Sequence, residues 1–82
     1  MIRLSGMQVR RLLMELCVEL GFCLPGEAQV RLENEPPLEV DAFVEAVYLA
    51  EGMAVPGDLR LWRRVKKKVA KHFRDAENDA GV

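Results

Sequence analysis

Apolar residues recur at helical spacing along most of the chain. Val9, Leu12, Leu13, Leu16, Cys17 and Leu20 form one stripe, with Arg10, Arg11, Glu15 and Glu19 opposite, the period expected of an amphipathic helix. Its start is signalled by Ser5 and Gln8, an S-x-x-Q capping box, with Leu4 and Val9 placed to meet as a hydrophobic staple. Gly21 supplies a left-handed stop, after which Phe22 can fold back onto the last turn. The pattern predicts a helix over about 5–20.

Pro25 can open a second, short helix over about 26–33, carrying Ala28 and Leu32 inward for two turns at most before Pro36 and Pro37 forbid continuation. A third stripe, Val40, Phe43, Val44, Val47 and Ala50, predicts a helix over about 39–51 that ends at Gly52. Acids near its start suit the positive end of the helix dipole. Met53, Ala54 and Val55 then lead to Pro56, Gly57 and Asp58, where Asp58 is an N-cap for a fourth helix over about 58–76. Residues 77–82 read as a frayed acidic tail. The expected fold is all-α: one domain over 1–76, a compact bundle of three main helices and one short one.

The fourth helix separates its faces most sharply. At about 100° per residue, Leu59, Val65, Val69 and Phe73 fall near Trp62, while Arg60, Arg63, Arg64, Lys67, Lys68, Lys71 and Arg74 fill the other side. Lys66 alone intrudes on the apolar face, where its long stem can carry its charge to water. Burying the five apolar residues contributes on the order of 10 kcal/mol at ~2 per large side chain. That rivals the net stability of a whole domain, about 5 to 15 kcal/mol, so inserting this face into lipid would take the domain apart.

Composition adds a charge layout to this outline. The 82 residues carry a net charge of −1, but residues 15–51 hold nine acids against Arg31 alone, and residues 58–74 hold eight bases against Asp58. An acidic middle is followed by a basic helix. Half the residues are apolar and threonine is absent, a helix-forming composition. A chain of this size buries only roughly 60% of its unfolded surface, so a second chain would add stability.

Candidate chemistry is sparse. The only serine, Ser5, is a cap, and the only histidine, His72, lies far along the chain among bases, leaving little material for a nucleophile with an oriented base. Cys17 lies on an apolar stripe and reads as a small buried hydrophobe, while Cys23 falls in a connection. Together with His72 they offer at most three sulfur or nitrogen ligands, one short of a closed zinc site. The carboxylates follow no metal-binding pattern, no glycine-rich loop is set to hold phosphates, and no helical linker offers an attachment serine for a carrier group. No catalytic, cofactor or metal residue is therefore assigned, and no small-molecule substrate is indicated. Two unpaired cysteines, with no secretory or lipidation signal and no membrane span, suit a reduced cytoplasmic setting.

Two functions remain. The first is a non-catalytic protein–protein interaction module that self-associates or docks an acidic partner through Arg60, Arg63, Arg64, Lys67, Lys68, Lys71 and Arg74. The second is non-specific or weakly specific nucleic-acid binding by the same face. That face offers no outward aromatic and no Asn, Gln, Ser or Thr, and the isoelectric point of 5.8 lies far below the value above ~9 usual for a nucleic-acid domain. Glu39, Asp41, Glu45 and Glu51 read as a solvated face of the third helix, with Tyr48 as an aromatic edge beside it.

Overall fold

The computed structural model describes residues 3–55 and 57–80. Pro56, part of the expected approach to the last helix, and Gly81 and Val82 of the expected tail lie outside the described residues. Four helices follow in order: α1 (Gly6–Leu20), α2 (Gly26–Asn34), α3 (Val40–Ala50) and α4 (Leu59–Ala80). No strand occurs among the described residues, and the all-α architecture stands.

Local chemistry sets the boundaries. The Ser5 hydroxyl accepts from the Gln8 amide at 3.2 Å and the Gln8 side chain accepts from the Ser5 amide at 2.7 Å, closing the capping box. Gly21 adopts φ +80° and donates to the Cys17 carbonyl, and Phe22 donates to the Leu16 carbonyl. These bonds turn the chain back on itself at a residue whose missing Cβ makes the left-handed conformation cheap. Asp58 caps α4 as expected, its Oδ1 accepting from the Arg60 amide at 2.9 Å.

Two lengths differ from expectation. α2 has nine residues against eleven in α3, so the split into three main helices and one short one is too sharp. α4 runs to Ala80, four residues past the expected end; Glu77 and Asn78 are good or tolerated helix residues, and nothing before Gly81 breaks the helix.

α4 packs on both α1 and α3, and α1 packs on α2. A single core gathers Leu4, Val9, Leu12 and Leu16 from the first segment, Phe43, Val44 and Val47 from α3, and Val65, Val69 and Phe73 from α4. Phe43 and Phe73 meet edge-on with ring centres 6.1 Å apart. Arg10 joins α1 to α2 through Glu33 at 2.9 Å, and Arg3 donates to the Asn34 carbonyl at the free end of α2.

Leu59, expected in the core, is instead 55% exposed. α4 spans about 33 Å and α3 only about 16 Å at 1.5 Å per residue, so the first turn of α4 overhangs its partner. Trp62 is half-buried. The apolar face of α4 therefore contributes less than its sequence promises: about 6 kcal/mol from Val65, Val69 and Phe73, plus a share from Trp62. Tyr48 departs the other way. It is fully buried, with its ring 5.2 Å from that of Phe22 and 5.1 Å from that of Trp62. The turn after α1 carries Phe22 over it, so it is a core residue and not the aromatic edge of an interface.

No helix among the described residues is long and apolar enough to cross a membrane.

Candidate interaction surface

The basic residues of α4 divide into two sets. At about 100° per residue, Arg60, Arg63, Arg64, Lys67, Lys71 and Arg74 fall within an arc of about 100°, stretched over about 21 Å of helix. All six are exposed, and none enters an ion pair among the described residues. Such a row repels itself at i,i+3 and i,i+4 spacings by tenths of a kcal/mol per pair.

Lys68 lies on the flank of that arc and is not outward as the sequence suggests. α1 packs against this flank, and its Glu15 and Glu19, one turn apart, converge on the ammonium: Lys68 Nζ donates to Glu19 at 2.8 and 2.9 Å and to Glu15 at 3.3 Å. Only 20% of the Lys68 side chain remains exposed. The Glu19 hydrogen bond is the main reason its ammonium is held above the usual lysine range, against an opposing effect of burial.

His72 completes the seam, with Nε2 2.8 Å from Glu15 Oε2. Burial works to raise the Glu15 carboxyl, but His72 and Lys68 together outweigh it and leave the group below the ordinary glutamate value. The histidine thus faces a carboxylate and not a cysteine, so no Cys–His pair forms. Lys66 reaches the other side and pairs with Asp41 of α3 at 3.0 Å. The acidic middle and the basic helix do meet within one chain, but among the described residues only through Lys66, Lys68 and His72.

Beside the unpaired cations runs an open groove of about 320 Å³, lined by Leu20, by Arg64, Lys67, Lys71 and Arg74, and by the paired Glu19 and Lys68. Its lining combines Leu20 and lysine stems with an excess of positive charge, five cations against Glu19, which fits an acidic segment carrying an apolar side chain. Outer α3 offers complementary chemistry: Glu45 is exposed, and Leu49 is 69% exposed one turn on.

The structure also corrects the reading of the cysteines. Cys17 and Cys23 form a disulfide. Cys17 is half-buried and Cys23 exposed, so Cys17 is not a core hydrophobe, and the premise of two unpaired thiols falls away. The sequence held the clue in Gly21: a left-handed cap between the two reverses the chain and brings the second back beside the first.

A second missed feature is the row of Met7, Met14 and Val18 on α1, which are 75%, 61% and 79% exposed. These apolar residues stand outside the core stripe at helical spacing, a visible signal in the sequence. Among the described residues no group of three or more His, Cys, Asp or Glu side chains converges in a metal-binding arrangement.

The chain matches no family model. Nor does it match a curated protein or a solved structure.

Proposed function

We propose that the protein is a small, non-catalytic interaction module that docks an acidic protein surface, that of a second copy included, on the outward face of α4. The observation that carries this reading is the division of the basic helix: three side chains are engaged within the chain, and six are left in one row beside a groove that Leu20 helps to line. A partner supplying carboxylates would relieve the repulsion along the row, steer the encounter and fix the register. Glu45 and Leu49 of another copy have the required chemistry.

Sedimentation velocity over a range of protein concentration and salt, together with binding of a poly-glutamate peptide, tests the proposal. Concentration-dependent association or peptide binding that weakens with salt is expected, and so is its loss in the exposed triple variant Arg64→Glu, Lys67→Glu, Lys71→Glu with helical content unchanged. A strict monomer that leaves poly-glutamate unbound refutes it.

The second reading, nucleic acid on the same face, is favoured by the length of the row. Neutralising about 3 to 5 phosphates would give a steep salt dependence, with a log–log slope of roughly −2.7 to −4.5 on duplex DNA. Fluorescence anisotropy with duplex and single-stranded oligonucleotides decides it: no binding to either at low salt eliminates this reading.

A further inference from the structure

We infer that the Cys17–Cys23 disulfide is a reversible dithiol–disulfide site, opened by attack of a partner dithiol on Cys23, the more exposed residue of the pair, and closed again without unfolding of the domain. The inference stands apart from the reading of α4 and uses none of its residues.

Three features carry it. The first is access. Cys23 is exposed, and the half-buried Cys17 lines a groove between α1 and the start of α2 with Met14, Val18 and Leu24. Exposed disulfides are the labile ones, because exchange requires an attacking thiolate to reach a sulfur along the bond. Of the two residues Cys23 is the more exposed, and it offers the more open approach.

The second is that the turn is secured without the bridge. Gly21 and Phe22 donate to the Cys17 and Leu16 carbonyls, and Gln29 Nε2 donates to the Leu24 carbonyl at 2.8 Å. Phe22 and Leu24, the two neighbours of Cys23, are both buried in the core. Cys17 is fixed within α1. Opening the bond therefore leaves both sulfurs near each other, where reclosure is intramolecular and strongly favoured by effective concentration.

The third is the position of Cys17 in the last turn of α1, where the negative end of the helix dipole disfavours a thiolate. The reduced form gains no electrostatic stabilisation of the kind found for cysteines at helix N-termini. The same effect makes Cys17 a poorer leaving group and shifts the balance toward the closed form, so opening needs a dithiol that completes the exchange, and the bridge recloses once that dithiol is withdrawn.

The partner's first thiolate forms a bond to Cys23 Sγ; the Cys17–Cys23 bond breaks, its electron pair leaves on Cys17 Sγ, and Cys17 takes a proton from water. The partner's second thiolate then attacks its own sulfur in the mixed disulfide, and Cys23 departs as a thiolate and is protonated. Two electrons pass from the partner dithiol, which becomes a disulfide, to the bridge. A monothiol such as glutathione stops at the first step, because Cys17 returns to Cys23 and expels it.

The test uses the oxidised full chain. It is incubated with dithiothreitol or with glutathione at equal thiol concentration, quenched in acid, alkylated and weighed by mass spectrometry, with circular dichroism recorded in parallel. Dithiothreitol is expected to yield the doubly alkylated chain with unchanged helical signal, mild oxidation to restore the bridge, and glutathione to leave most of it closed. Opening only in denaturant, or loss of the helical signal on reduction, overturns the inference. The direction of attack is read separately. The remaining thiol of Cys17→Ser should react with a chromogenic disulfide at least about tenfold faster than that of Cys23→Ser, as its greater exposure requires. Equal or reversed rates overturn the assignment of Cys23 as the attacked sulfur.

Discussion

Tyr48 places a hydroxyl where it finds no protein partner, and its removal should stabilise the domain. The side chain is fully buried between Phe22 and Trp62, and its Oη has no hydrogen-bond partner among the described residues. An unsatisfied buried hydroxyl costs about 1 to 3 kcal/mol. Tyr48→Phe keeps the ring and both aromatic contacts and leaves a void of only about 10 Å³, which offsets the gain by about 0.2 kcal/mol at ~24 cal/mol per Å³. A net stabilisation of about 1 kcal/mol is expected at pH 7, or about 4 to 8 °C in Tm for a domain of this size.

The same hydroxyl gives the variant a pH signature. Burial first, and the nearby Asp58 carboxylate second, hold the Tyr48 phenol above its ordinary value of 10.0. The stability of the Tyr48 protein is therefore unaffected by this group below the unfolded value and falls as pH rises through the raised folded one, a loss that Tyr48→Phe does not share. The advantage of Tyr48→Phe should therefore widen above pH 10. Urea unfolding followed by circular dichroism at pH 7 and between pH 9 and 11 measures both effects, with an unchanged m value marking a pure change in stability. A variant destabilised by 1 kcal/mol or more would mean that the hydroxyl makes a hydrogen bond, and a pH-independent difference would mean that the phenol ionises as it does in the unfolded chain.

Further outcomes follow from the packing and the ion pairs. Phe43→Ala removes a fully buried ring from its contact with Phe73 and should cost about 3 to 5 kcal/mol, whereas Leu59→Ala on the overhanging turn should stay within about 0.5 kcal/mol by the same denaturant assay. Ser5→Ala opens the capping box and should cost about 1 kcal/mol, with amide exchange accelerated in the first turn of α1. Glu15 sits below its ordinary 4.5 in the folded state, so its contribution is present above that value and lost as pH falls through the lowered one. Glu15→Gln should flatten that acid limb in thermal melts at stepped pH; an unaltered limb would show that Lys68 and His72 do not hold the carboxylate.

The capping box at Ser5 and Gln8, the left-handed stop at Gly21, the Asp58 cap and the apolar stripes were all legible along the chain. Each rests on interactions within about four residues, where sequence distance and spatial distance are nearly the same. The helices, their order, and the two faces of α4 follow from those local terms. Which surfaces meet does not. Lys68 leaves the outward row because α1, some fifty positions away in sequence, presents Glu15 and Glu19 to its flank. Tyr48 is buried because Phe22 and Trp62 arrive from separate segments, and Leu59 is bare because α3 ends before reaching it. Cys23 meets Cys17 through the turn that Gly21 starts and the core then holds by burying Phe22 and Leu24. The sequence by itself determined four amphipathic helices and a basic row on the last. Only the tertiary structure decided which charges, sulfurs and rings are spent inside the domain, because that depends on helix lengths and packing partners that no local period encodes.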